Sequence, residues 1–309
     1  MPDSSSSSGS SQSSAGSGSS GSSSARVSTP TLPPDKQHSW KVVGGLVFCL
    51  AVIVGAGLLA PRAVAWVVTF LAMGGMMWLI GSAVSGTPWG AFITQRNLIS
   101  LARFQAVLWT VLILSAYSTY VLQRVNVRGL LKPAAVAPAD VNASAKVTAN
   151  DGPWDVGIDK LLWALLGIST TSLVGSSLLA GTKRGKEPTV DAVSKAADKL
   201  QEPSTEINKN RQGTLYVNPD PKDARLTDMF MGDEVGDTAH VDLGKVQMFF
   251  FTVVVAVVYG VMIFRQLCEA GSVDALQALP PVSDGMIALL GISHAGYLTK
   301  AGLSQTQTK

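Results

Sequence analysis

Charged side chains are scarce in this sequence. Asp, Glu, Lys and Arg together make up 15% of its 309 residues, whereas soluble domains carry about 25%. Apolar residues make up 47% of the chain, and they gather in runs of about 20 residues, the length that spans a bilayer. The composition excludes an ordinary soluble domain and places the chain among integral membrane proteins.

Cysteine and recognisable site motifs are scarce as well. The two cysteines, Cys49 and Cys268, lie far apart in the sequence, so we expect no disulfide framework. The sequence contains no Gly-rich phosphate loop, no paired His/Cys ligands and no nucleophile motif. We therefore expect a non-enzymatic protein without catalytic residues, a metal site, a cofactor or a nucleic-acid partner.

The first 39 residues are dominated by serine and glycine. Fifteen of the first 24 residues are Ser, and such a segment cannot bury enough apolar surface to offset the entropy of ordering. We predict a disordered tail over residues 1–39. It is not expected to be a signal peptide, because no Lys or Arg precedes Arg26 and the first apolar run starts only near residue 42.

The apolar runs predict an all-α integral membrane protein with six transmembrane helices in three hairpins. The predicted spans cover residues 42–60, 63–84, 104–122, 161–180, 246–264 and 283–300. Pro61 and Arg62 separate the first two, since proline breaks a helix and arginine is costly at mid-bilayer. One tilted helix over 42–84 is the competing interpretation, but it would be about twice as long as a bilayer requires.

The last two hairpins show an internal repeat. The hexapeptide Ala-Leu-Leu-Gly-Ile-Ser occurs at 164–169 and again at 288–293, an offset of 124. The third and fifth spans match at an offset of 142, through the pairs Arg103/Lys245, Gln105/Gln247, Thr110/Thr252 and Tyr117/Tyr259. We interpret the matches as a duplication, which promotes the short run at 283–300 to a sixth span. Each copy holds two spans, so we expect parallel repeats related by a two-fold axis along the membrane normal.

These predictions divide the chain into six segments. Residues 181–231 form a cytoplasmic loop with one short amphipathic helix, because Val190, Val193, Ala197 and Leu200 follow at helical spacing. The full order is the tail 1–39, the first hairpin 42–84, repeat 1 at 90–180, the loop 181–231, repeat 2 at 232–302 and the C-terminal tail 303–309.

Lys and Arg residues predict the orientation, because cytoplasmic segments carry an excess of them. With the N-terminus inside, the inner segments hold 17 Lys and Arg residues and the outer segments hold 7. The loop 123–160 opposes the rule with five of those seven. The balance nevertheless predicts that both termini lie in the cytoplasm.

Polar and small residues inside the spans are candidates for helix packing or for a solute pathway. Thr and Tyr lie seven residues apart in two spans and so share a helix face, and small residues allow close helix approach. His294 is the ionisable residue well inside a span, and such groups suggest function. The candidates are Gln105, Thr110, Tyr117, Gly167, Ser169, Gln247, Thr252, Tyr259, Gly291, Ser293 and His294. Packing is the favoured interpretation.

An acidic cluster precedes the fifth span. Asp228, Asp233, Glu234 and Asp237 do not have the spacing of a calcium loop. They form either a solvated acidic loop or a docking surface for a basic partner.

Four stretches resemble one known family. Residues 226–237, 241–252 and 289–298, together with 98–110 in the first repeat, are similar to a family of uncharacterised bacterial multi-pass membrane proteins. The resemblance covers roughly residues 70–302. It implies a bacterial inner-membrane location and lends no catalytic residues, since the family has no assigned activity.

The sequence therefore predicts a membrane anchor or scaffold that presents a cytoplasmic docking loop to a protein partner. The alternative function is a channel or transporter for a small solute, through the cleft between the two repeats. The expected partners are the lipid bilayer, a protein at the cytoplasmic loop and, as an alternative, further copies of the same chain.

Overall fold

Eight α-helices form the framework of the protein. The computed structural model describes residues 36–129, 155–271, 276–303 and 305–308, so the first 35 residues of the predicted disordered tail lie outside it. The helices are α1 Lys36–Leu59, α2 Arg62–Ser85, α3 Leu101–Gly129, α4 Lys160–Arg184, α5 Val190–Leu200, α6 Ser204–Lys209, α7 Leu243–Glu269 and α8 Asp284–Gly302. One short antiparallel pair of strands, β1 Arg211–Gln212 and β2 Leu215–Tyr216, lies between α6 and α7.

Local sequence signals set where the long helices begin. Side chains of Asp159, Asp242 and Ser283 accept hydrogen bonds from the first free backbone N–H groups of α4, α7 and α8, which is the usual stabilising role of an N-cap residue. Pro61 precedes α2, and two residues separate α2 from α1. The first apolar stretch is thus two helices that pack along each other, not one long helix.

Five of the helices are long and apolar enough to cross a membrane. These segments are Trp40–Leu59, Arg62–Ser85, Leu101–Val125, Lys160–Arg184 and Leu243–Glu269. The predicted sixth span exists as the 19-residue helix α8, but it does not reach the length and apolarity of the other five. The described structure therefore agrees with a multi-pass membrane protein that has at least these five candidate spans.

The helices alternate in direction, so their connections gather at two ends of the bundle. At one end, called the connector face here, the Arg62 guanidinium donates to Ala270 O, and Arg124 donates to Asp155 O at 2.6 Å. At the other end, called the loop face, lie the segments 86–100 and 185–242, Leu303 and residues 305–308.

The two predicted repeat units stand side by side. α3 packs on α4 and α7 packs on α8, and the two pairs meet through α3–α7 and α4–α8. In the described part of the chain, the diagonal pairs α3–α8 and α4–α7 make little or no contact. α3 and α7 begin 142 residues apart and α4 and α8 begin 124 apart, the same offsets at which their sequences match.

Equivalent residues of the two units lie in different environments. Gln105 on α3 is buried and donates to Thr252 Oγ1 on α7 at 2.6 Å, whereas its counterpart Gln247 and the counterpart of Thr252, Thr110, are exposed. A two-fold axis between the units would bury equivalent residues alike. The expected two-fold relation is therefore wrong: each unit presents one face to its neighbour and the opposite face outward, as in side-by-side stacking.

An apolar core joins the four helices and α2. Its largest buried side chains include Trp109, Tyr120, Tyr259 and Leu290. Trp66 of α2 lies over the α3–α7 contact and donates from Nε1 to Ser115 Oγ at 3.1 Å. The indole group thereby pairs a polar serine inside an apolar environment, where an unpaired hydroxyl is costly.

A substitution at Gly81 tests how closely α2 packs against the turn that follows it on the loop face. A Cβ on Gly81 would lie 2.3 Å from the backbone nitrogen of Ala91 in the 3₁₀ turn Gly90–Phe92. We expect Gly81→Ala to destabilise the protein by about 1–3 kcal/mol, as overpacked sites do, measured as a lower Tm in detergent. Gly74→Ala on the same helix is the control, since nothing lies within 4 Å of that position. Equal Tm values for the two variants would contradict the close packing.

Candidate functional site: a charged cap and its cavity

The loop face carries a folded cap rather than an extended loop. The cap comprises residues 86–100, 185–242 and 305–308. Thr189 caps α5 by accepting from Ala192 N, and the helix buries Ala192, Val193, Ala196 and Ala197 on one side. Val193, Ile207 and Val235 form a small separate core there. The amphipathic spacing that predicted one helix thus supplies the packing surface of the cap.

A network of one acid and two bases joins two segments of the cap to each other and to α7. Arg96 lies just before α3, Lys245 lies in the first turn of α7, and Asp233 lies between them in the cap. Arg96 Nη2 lies 2.6 Å from Asp233 Oδ1, and Lys245 Nζ lies 3.0 Å from Asp233 Oδ2. Burial alone would raise the pKa of Asp233, but the charges of Lys245 and Arg96 outweigh it and hold that pKa well below its usual range.

A second ion pair joins α4, the cap and the C-terminal segment. Lys183 Nζ lies 2.5 Å from Glu234 Oε1, and both side chains are almost fully buried. The same carboxylate accepts from Gln305 N at 3.1 Å and from Thr306 N at 2.8 Å. Lys183 also donates to Leu303 O at 3.1 Å. All these charged atoms have partners, which a buried ion pair requires.

The four acids predicted as a docking surface point into the structure. Asp233 and Glu234 make the ion pairs above. Asp228 accepts from Arg225 N at 2.9 Å and Ile99 N at 3.3 Å, and burial raises its pKa. Asp237 accepts from Glu234 N at 3.0 Å, and burial, followed by the nearby negative charges, raises its pKa. Their hydrogen bonds and ion pairs are made within the structure; Glu234 is buried, and the other three acids are half-buried.

A cavity of about 770 Å³ lies between the cap and the ends of α4 and α8. Its floor includes Leu173, Ser176 and Tyr297 from the long helices. Its lining also includes ten charged residues: Arg96, Arg103, Lys183, Arg184, Arg225 and Lys245 with Glu202, Asp223, Asp228 and Asp233. The volume falls in the range of small-molecule sites, about 300–1,000 Å³.

Four polar groups lie one turn deeper, where α4 meets α8. Ser169, Ser172, Ser293 and His294 are buried, and Ser Oγ and His Nδ1 atoms have no hydrogen-bond partner among the described residues. Ser172 precedes Ser176 by four residues and His294 precedes Tyr297 by three, so these groups continue the cavity floor toward the bundle centre. Unpaired buried polar atoms are unusual in proteins and call for an explanation.

Of the other residues predicted for helix packing or a solute pathway, some are buried in the bundle and some are exposed on its surface. Thr252 and Tyr259 are buried on one face of α7, as their seven-residue spacing predicts, and Tyr117 is partly buried on α3. Gly291 faces Ile168, whose Cδ1 would lie 3.8 Å from an added Cβ. Gly167 faces outward, where no described atom lies within 4 Å of that position.

Sequence reasoning missed the basic partners of the acids. In the sequence, Arg96 and Lys183 serve only as orientation signals and Lys245 also as a match to Arg103 in the repeat, although each lies within a few residues of a helix end on the loop face. The one signal in the sequence was that these basic residues lie close to the end of a predicted span. That signal does not identify the acid with which each of them pairs. Among the described residues, no group of three or more His, Cys, Asp or Glu could hold a metal ion.

Comparison of the chain with protein-family models, with curated proteins and with solved structures finds no match.

The shifted pKa values predict opposite effects for two neighbouring acids. Asp233→Asn removes two ion pairs and should cost about 1.5–3 kcal/mol. The wild-type advantage should be complete above about pH 4, the unfolded value for Asp, and should be lost as the pH falls toward the lower folded pKa of Asp233. Asp237→Asn should not lower Tm. The Asn side chain can still accept from Glu234 N, and the raised pKa of Asp237 means that its negative charge is unfavourable in the folded protein. Tm against pH in detergent measures both, and a loss of stability in Asp237→Asn would contradict the assignment.

Proposed function

We propose that the protein is a non-enzymatic membrane anchor that holds a folded cap at the cytoplasmic surface of a bacterial inner membrane, where a protein partner docks. The observation that carries the proposal is the attachment of the cap. Its residues 233 and 234 are ion-paired to Lys183 near the end of α4 and to Lys245 in the first turn of α7, and Asp233 also pairs with Arg96 in the cap segment that leads into α3. Such attachment gives the cap a fixed position on the bundle, which suits presentation to a partner.

Three finer features belong to the same proposal. α8 crosses the membrane as a sixth span, since 19 residues rise about 28 Å against a hydrocarbon core of about 30 Å. The pairs α3–α4 and α7–α8 are an internal duplication, supported by the equal offsets of sequence and helix starts. The loop face lies in the cytoplasm, supported by the Lys and Arg excess on that side.

Site-specific photo-crosslinking tests the docking role. A photoreactive residue is placed at Val190 or Leu226, two exposed apolar positions of the cap, and at Leu71 on the lipid-facing side of α2 as the control. We expect both cap positions to yield an adduct with the same protein and Leu71 to yield none. Glu234→Gln, which weakens the cap attachment, should reduce the adduct without reducing membrane insertion. Adducts with lipid alone, or the same protein at Leu71, would contradict docking on the cap.

A second candidate function is passage of a small neutral solute. The supporting observation is the group of unpaired polar atoms of Ser169, Ser172, Ser293 and His294 just below the cavity. They offer hydrogen bonds to a solute that enters from the loop face. On the connector side, the apolar core lies beyond them, so passage would require α4 and α8 to move apart.

Glycerol flux into reconstituted vesicles tests this candidate. His294→Leu should abolish flux above the lipid background, because it replaces a polar group in the α4–α8 contact. His240→Leu is the matched control, since His240 is exposed on the cap. Equal flux in the wild type, in both variants and in empty vesicles would rule out glycerol passage.

A further inference from the structure

The contact between α4 and α8 is built from one stripe of residues on each helix. The α4 stripe is Leu165, Ile168, Ser172, Gly175 and Leu179, at spacings of three and four residues. Three contacts define how the helices lie: Ile168 on Gly291, Leu298 on Gly175 and Leu179 on Gly302. Each joins residues 123 apart, so the helices run parallel and in a fixed register.

Each stripe has a counterpart on the outer side of the other helix. Adding 124 to the α4 stripe gives Leu289, Ile292, Gly296, Thr299 and Leu303, and all five are exposed, with Ile292 at 71%. On α8, the side that faces α4 carries Gly291, His294, Leu298 and Gly302. Subtracting 124 from these numbers gives Gly167, Thr170, Val174 and Leu178. These four are exposed on α4, with Leu178 at 68%.

The exposed stripes copy the buried ones in chemistry. The outer stripe of α8 reads Leu, Ile, Gly, Thr, Leu, where the buried stripe of α4 reads Leu, Ile, Ser, Gly, Leu. The outer stripe of α4 reads Gly, Thr, Val, Leu, where the positions of α8 on the contact side hold Gly, His, Leu, Gly. The molecule thus carries one completed helix contact and the two unpaired halves of a second.

We propose that the outer face of α8 docks on the outer face of α4 of a second copy of this chain. The α8 of one copy then takes the place that α4 has inside the molecule, and the α4 of the next copy takes the place of α8. The internal contact shows the expected arrangement: parallel helices in the same register. The interface is heterologous, because different surfaces meet, so it continues from copy to copy in a ring or a line.

The composition of both stripes fits association within lipid. Apolar side chains gain little by leaving lipid for protein, so helices associate where small residues allow close packing and hydroxyl groups bond. Gly167 and Gly296 have no described atom within 4 Å of an added Cβ, so both are open to a second helix. The inference stands apart from the anchor role, since assembly in the membrane does not depend on what docks on the cap.

Cysteine crosslinking in membranes tests the contact. The internal neighbours Gly175 and Leu298 correspond to Thr299 of one copy and Val174 of the next. Cys49 and Cys268 are first replaced by Ser, and two differently tagged chains, Val174→Cys and Thr299→Cys, are co-expressed and oxidised. We expect a disulfide between the two tagged chains, none when either variant is expressed alone, and a ladder of products from the double variant. A Thr299→Cys homodimer would indicate a two-fold contact instead, and no mixed product would mean no such contact; either result overturns the proposal.

A variant that blocks the contact between copies provides a second test of the proposal. Gly167→Leu, added to the Val174→Cys chain, fills an outward position with no neighbour within 4 Å among the described residues, so it should abolish the mixed product while insertion stays normal. Gly44→Leu on α1 is the matched control, because that glycine is also exposed and without neighbours within 4 Å. Undiminished crosslinking in Gly167→Leu would overturn the register proposed here.

Discussion

Buried charge must be paired, and this requirement organises the loop face of the protein. An isolated ion in a low-dielectric interior costs several kcal/mol, whereas a pair with further hydrogen bonds is tolerated. Lys183, Lys245 and Arg96 lie close to the ends of apolar helices, where they need acids. Asp233 and Glu234 supply the acids, and the backbone of the cap and of the C-terminal segment completes the remaining hydrogen bonds. The cap therefore owes its place on the bundle to the charges at the helix ends.

The apolar helices follow a different constraint. Leucine and valine side chains have nearly the same free energy in lipid as in a protein interior, so hydrophobicity alone does not determine which helices pack together. The specific contacts come from a few polar and small groups: Gln105 with Thr252, Trp66 with Ser115, and glycine against a larger side chain between α4 and α8. Those contacts leave a cavity where the polar cap meets the apolar bundle.

Much of the fold could be predicted from the sequence, and the reasons are local. Apolar runs and proline located the helices, and the spacing of Val193 and Ala197 located α5. The hexapeptide at 288–293 located α8, although that helix is less apolar than the others. The packing of the two sequence-related helix pairs on each other could not be predicted, because a match in sequence gives an offset along the chain and leaves their relative placement open. The role of the acids was also missed, since their basic partners lie 50 or more residues away in the chain for Lys183 and Arg96.

Asp233 and Glu234 are adjacent in the chain, yet they hold different helices. Asp233 is bound to the start of α7 and the segment before α3, and Glu234 is bound to the end of α4. The peptide bond between them thus joins an ion pair on α7 to an ion pair on α4. A displacement of α4 against α7 would therefore have to lengthen one of these ion pairs or move this part of the cap.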